Sequence, residues 1–189
     1  MKRILTKSET YMKEAIRLAR RAGKNGDVPI GCIIVYDGSQ PGSKADQNAE
    51  AHGITPGTII GKGYNRRNKD HNSLMHAEIS AIRQACKAFD DWRIEDCTMY
   101  VTLEPCPMCA GAIIQARIPR LVMGSQNAKA GCCGSVLDLL HQPRLNHRVE
   151  VLPDALHEEC AALMSDFFTA LRTEKLAKKK AAVSEEITH

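Results

Sequence analysis

Five short apolar runs punctuate the chain, and most are followed by a stretch with helical spacing; this alternation limits the possible folds more than any other feature. Val28 to Tyr36 (VPIGCIIVY), Thr58 to Tyr64 (TIIGKGY), Cys97 to Leu103 (CTMYVTL), Arg120 to Gly124 (RLVMG) and Val149 to Leu152 each have the length of a strand. Ahead of the first run, Tyr11, Ala15, Leu18, Ala19 and Ala22 recur at helical spacing, with Ser8 expected as N-cap, Glu9 in the first turn and Gly23 as the stop. Ile82, Ala85, Cys86 and Phe89 predict a second helix, and Met108 to Arg117, behind Pro105 and Pro107, a third. A long last helix is expected from Pro153 and Asp154, with Leu156, Cys160, Leu163, Phe167 and Leu171 on one stripe. Strands alternating with helices of this length predict a largely parallel sheet after an opening hairpin, in a three-layer α/β domain. Asp37 to Gly57, rich in Gly, Ser, Pro, Asp and Asn, is expected to be an extended, mobile hairpin insertion, because the strands it joins are too short to stand alone.

The length of 189 residues fits one domain, with 43% hydrophobic and 25% charged residues. The expected division is a domain over 1–172, with the 37–57 insertion, and a Lys-rich tail over 173–189, partly disordered. Aromatics are only 4%, which disfavours a platform that stacks many bases. A net charge of +4 permits an anionic partner without the basic stripe of a nucleic-acid-coating protein. Met1 to Leu5 leads into Thr6-Lys7-Ser8-Glu9 rather than an apolar core, and no stretch approaches the ~18 apolar residues of a membrane span, so a cytoplasmic chain without membrane contact is expected. In that compartment the eight cysteines stay reduced, and clustered ones point to metal or catalysis.

Two clusters carry chemistry: His76-Ala77-Glu78 and Pro105-Cys106-Pro107-Met108-Cys109, each at a strand-to-helix junction. In α/β sheets such junctions gather at the carboxyl ends of the strands, so clusters distant in sequence can converge. One imidazole and two cysteines three apart suit Zn²⁺, and helix N-termini favour the thiolates. Three protein ligands leave a fourth tetrahedral position for a water that the metal acidifies to a pKa near ~7. Glu78 lies about 200° around a helix from His76, which excludes the paired ligands of an H-E-x-x-H protease and suits a proton shuttle. H-x-E with P-C-x-x-C is the signature of zinc nucleobase deaminases. A lone CxxC also occurs in redox pairs and structural zinc sites, and Cys132 or Cys133 is available to close a four-ligand site.

At these residues the chain resembles the bacterial tRNA-specific adenosine deaminases of the cytidine and deoxycytidylate deaminase superfamily. The resemblance extends over Val28 to Gly31, Gly63 to Arg66, His76 to Ile79, Tyr100 to Gly111, Ala130 to Ser135 with Leu137, Leu145 to Val149 and Glu159 to Phe168, covering about residues 10–172. It implies a cytidine-deaminase-like α/β/α fold with a mixed five-stranded sheet, and hydrolytic deamination of adenosine to inosine at the wobble position of an arginine tRNA anticodon by a cytoplasmic homodimer. By position, His76, Cys106 and Cys109 would bind one Zn²⁺ per subunit and Glu78 would shuttle protons. Asn65 would hydrogen-bond the flipped base, with Val28, Pro29 and Ile30 as an apolar wall and Ala77 and the Leu103-Glu104 backbone nearby. Asn127, Lys129, Phe168 and Arg172 would contact the anticodon stem-loop; Asn127 stands where the family usually has an acid, which removes a charge. Single-stranded loops splay their bases, so few aromatics are needed. Two other readings stay open on the residues: a deaminase of free cytosine, guanine or deoxycytidylate, and a non-catalytic zinc-stabilised RNA-binding or redox module. The run Lys175, Lys178, Lys179, Lys180 is expected to be a solubilising helix face.

Overall fold

The computed structural model describes residues 6–152 and 155–187, with side chains to residue 179. Helix α1 (Lys7–Lys24) is followed by β1 (Gly31–Tyr36), α2 (Lys44–Ala51), β2 (Ile59–Tyr64), α3 (Ala77–Phe89), β3 (Cys97–Val101), α4 (Pro107–Gln115), β4 (Arg120–Met123), β5 (Glu150–Leu152) and α5 (His157–Ile187). The cap of α1 is Thr6 rather than Ser8. Its side chain accepts from the Glu9 backbone N–H, and the Glu9 carboxylate accepts from the Thr6 N–H, a reciprocal capping box that Ser8 is too close to Glu9 to make.

The sheet is mixed, in the order β2-β1-β3-β4-β5. β1 runs antiparallel to both β2 and β3, and β3, β4 and β5 are parallel. Two antiparallel steps restore direction, so β2, β3, β4 and β5 all deliver their carboxyl ends to one edge. Alternate residues enter opposite layers: Ile33, Val35, Tyr100 and Val122 pack with α1 and α5, while Cys32, Ile34, Met99, Val101, Leu121 and Met123 face α2, α3 and α4. Lys13 on α1 pairs with Glu159 on α5 at 2.5 Å.

Gly63 is required by close approach. A Cβ there would lie 1.9 Å from the Ala77 carbonyl oxygen, so its absence lets the first turn of α3 lie directly on β2.

The segment 37–57 corrects the expectation of an extended, mobile loop. Ser43 caps α2 through the Asp46 N–H, and Ala45 and Ala49 are buried in the core beside Tyr36 and Phe89. Tyr36 donates its hydroxyl to Asp46 at 3.0 Å; Lys44 pairs with Asp91; the Ser39 and Gln40 N–H groups donate to Asp96. Tertiary docking overrides a composition that locally favours turns. This segment leaves β1 beside Cys97, at the amino end of β3, which is the sheet edge opposite the carboxyl ends.

The last helix begins at His157; Pro153 and Asp154, expected to open it, lie outside the described residues. It continues to Ile187, since Ala, Leu, Lys and Glu are strong helix formers and Glu174 pairs with Lys178 one turn on. Among the described residues no helix is long and apolar enough to cross a membrane.

Candidate active site

His76 is the N-cap of α3 and Cys106 the N-cap of α4, and neither side chain caps its own helix. For α3 the task passes to Asn65, just beyond β2, whose Oδ1 accepts the Ala77 N–H at 3.0 Å. The imidazole is thereby released toward the cysteines. His76 Nδ1 lies 3.7 Å from Cys106 Sγ and 3.5 Å from Cys109 Sγ. A tetrahedral Zn²⁺ with ordinary bond lengths separates N and S ligands by about 3.6 Å, so the donor set fits the ion. Among the described residues these are the His, Cys, Asp and Glu ligand atoms that cluster within 4.8 Å of one another. Neither Cys132 nor Cys133 joins them: the Cys132 thiol turns to the Ala130 carbonyl, and Cys133 is buried at a bridge to Asp138. The four-ligand closed site is therefore not formed.

The thiols are electrostatically unequal. A hydrogen bond from Cys109, then one from His76, holds the Cys106 thiol at about 3 against the opposing effect of burial. The same bond to Cys106, together with burial, pushes Cys109 up, and the bond to Cys106 also raises His76. Glu78, in the first turn of α3, is 3% exposed and its Oε2 has no hydrogen-bond partner. Burial pushes its carboxyl above the ordinary range, toward the value wanted of a group that takes and returns a proton.

A cleft of about 700 Å³ opens above these residues, within the usual range for a ligand site. Of the residues singled out in the sequence, Val28, Ile30, Asn65, His76, Glu78, Leu103, Glu104, Cys106, Asn127, Lys129 and Phe168 line it. Pro29 does not: it is buried where a Cβ on Gly23 would touch it, against the end of α1. Ala77 is buried beneath β2, contributing its N–H to Asn65, and Arg172 lies one turn beyond the cleft with its guanidinium on Thr169.

Two features were missed in the sequence. One is the wall that His157, Ala161, Met164 and Ser165 form with the expected Phe168, a second stripe of α5 beside the predicted apolar one; spacing of four, three, one and three was the available signal. The other is the Glu104 side chain, expected only as nearby backbone. Its 2% exposed carboxylate accepts the N–H groups of Asn127 (2.9 Å), Cys133 (2.9 Å) and Ser135 (3.1 Å) and the Ser135 hydroxyl. Burial raises its pKa, but these bonds outweigh burial and hold it below the ordinary carboxylate value. Asn127 in turn accepts the Lys129 and Ala130 N–H groups at Oδ1, an oxygen that an acid at this position also offers. The loop is thus cross-braced from within.

Residues 6–172 match the MafB19-like deaminases. A tRNA-specific adenosine deaminase of Bacillus subtilis (strain 168) is 42% identical over 176 residues, 93% of this chain and 98% of that one. One from Streptococcus pyogenes serotype M3 is 38% identical, covering 89% of this chain and 88% of that one. A solved structure from work on A-to-I editing by tRNA:A34 deaminases at the wobble position superposes with a TM-score of 0.69 at 35% identity, covering 82% of this chain and 98% of that chain. The mixed five-stranded sheet, the His/Cys/Cys cluster beside a buried glutamate and similarity over nearly the whole chain converge on one conclusion: this chain belongs to the MafB19-like deaminase family, among the tRNA-specific adenosine deaminases.

Proposed function

We propose that this chain hydrolyses adenosine to inosine at the wobble position of an arginine tRNA anticodon, acting in the cytoplasm as a homodimer with one zinc ion per subunit. The observation that carries the reading is the buried Glu78 carboxylate, with its Oε2 free of hydrogen bonds, beside the three-ligand cluster at the floor of an open cleft. Held by His76, Cys106 and Cys109, zinc would supply the Lewis acid that makes a water nucleophilic at neutral pH. Glu78 accepts a proton from the attacking water and returns it to N1 of adenine as oxygen adds to C6. A second transfer through the same carboxyl protonates the exocyclic nitrogen, the C6–N bond breaks, and ammonia leaves. Water and adenosine are thereby converted to inosine and ammonia.

Asn65 is suited to hold the base, since its Oδ1 is committed to Ala77 and its amide nitrogen is the donor available to the cleft. Val28, Ile30 and Leu103 supply apolar walls that exclude water. Asn127, Lys129, Phe168 and Arg172 surround or extend the mouth, where flanking nucleotides of a splayed loop would lie. The test compares a transcribed arginine tRNA with free adenosine, cytosine, guanine and deoxycytidylate. Inosine at the wobble position with no turnover of the free compounds is expected; turnover of the free compounds alone would replace this reading with a salvage deaminase.

A further inference from the structure

The cleft-lining stripe of α5 does not stop at the cleft. Taking Phe168 as zero and 100° per residue, His157, Ala161, Met164 and Ser165 fall within about 60° of it. The same arc continues outward through Arg172, Lys175 and Lys179, at about 40°, −20° and 20°. No acid interrupts it: Glu174 lies about 120° away and is paired with Lys178 at 2.6 Å. Every residue from 172 to 179 is exposed, so this part of the helix stands clear of the body. Leu176 is 61% exposed there. A projecting helix that is polar almost all round gains little from its own domain, and the ordered basic arc points to a partner.

We infer that Lys175 and Lys179, continuing the arc outward from Arg172 at the mouth, form a phosphate-tracking rail that grips the double-stranded stem flanking the RNA loop whose base enters the cleft. This rests on the tRNA reading above. Lys179 lies about 16 Å along the helix axis from Phe168, from the 1.5 Å rise per residue. At about 3.4 Å of axial rise per nucleotide in a stacked strand, that reach corresponds to roughly five stacked nucleotides, beyond the splayed part of a short loop. The contacts are electrostatic and indifferent to sequence, so they set the register of the stem while the cleft selects the base.

The experiment measures kcat and KM at several salt concentrations for wild type, Lys175→Ala/Lys179→Ala and, as control, Lys178→Ala. The substrates are an anticodon stem-loop and a single-stranded oligonucleotide with the loop sequence alone. Two lost phosphate contacts lower the slope of log KM against log salt by about 1.8 and raise KM for the stem-loop by about tenfold or more at low salt, converging as salt rises. The double variant keeps wild-type kcat, zinc content and KM for the loop oligonucleotide, and Lys178→Ala behaves as wild type. An unchanged slope and KM on the stem-loop overturns the rail, as does an equal loss on the loop oligonucleotide. Wild type that makes no inosine in either RNA overturns the tRNA reading itself, and the rail with it.

Discussion

Replacing Glu104 by glutamine keeps the shape of the buried carboxyl and removes its charge, which tests whether the loop over the cleft depends on that anion. In the native chain Oε1 accepts from Cys133 and Ser135 and Oε2 from Asn127 and the Ser135 hydroxyl. Glutamine preserves one oxygen. Its NH₂ group then confronts the Asn127 N–H, donor against donor, leaving a buried amide unpaired in addition to weakening the charge-assisted bonds. One lost bond to a charged group amounts to about 1.5–3 kcal/mol. At about 2–4 °C per kcal/mol for a chain of this size, Tm should fall by roughly 3–12 °C. His76, Cys106 and Cys109 sit at the starts of α3 and α4 rather than in this loop, so zinc content should hold at one per chain while KM for the stem-loop rises through the displaced 127–130 wall. The sign with pH follows from the depressed carboxyl of Glu104. A group with a lowered folded pKa stabilises fully above its unfolded value, near 4.3, and loses that contribution as pH falls through the folded one. The gap in Tm between wild type and Glu104→Gln should therefore persist at neutral pH and close in acid. Unchanged Tm and KM at neutral pH would refute the claim that Glu104 braces the loop.

Asn65→Asp retains the acceptor for the Ala77 N–H but loses the donor toward the base, so Tm should stay within a few degrees while kcat/KM on tRNA drops at least tenfold; Asn65→Ala should lose both, and thermal melts beside kinetics separate the two. Gly63→Ala places a methyl 1.9 Å from the Ala77 carbonyl oxygen and must push the start of α3 away, so zinc content and kcat should fall together, the latter about a hundredfold. Shortening 38–57 to a tight turn removes Ala45, Ala49 and the Asp46 partner of Tyr36. Tm should drop, with kcat/KM on tRNA within about twofold of wild type, because the segment occupies the sheet edge opposite the cleft.

The His/Cys/Cys cluster was legible because its chemistry is local: an imidazole two residues before a glutamate and two cysteines three apart, each at a junction visible as a change of hydrophobic period. The five strands were legible within a few residues for the same reason. What was hidden depends on partners far along the chain. Glu104 meets its donors 23 to 31 residues later, beyond any periodic signal. The helix in 37–57 exists because two alanines find the core, although its neighbours are turn formers. Thr6 displaced Ser8 as cap because the reciprocal bond with Glu9 needs a spacing of three. On α5, the stripe that lines the cleft mixes His, Ser and Ala with Met and Phe, so it carries a weaker apolar period than the adjacent Leu156, Cys160, Leu163 and Phe167 stripe.

The central claim is that Glu78 moves the proton while His76, Cys106 and Cys109 hold the metal. Its most direct test is inosine formation in arginine tRNA by Glu78→Gln, measured beside zinc content and tRNA affinity on the same preparation. Without a carboxylate to accept the proton, kcat should fall by at least the 10²–10⁴ that a positioned acid–base group contributes, with one zinc per chain and wild-type affinity for tRNA retained. Deamination near the wild-type rate by the zinc-loaded variant would contradict the account.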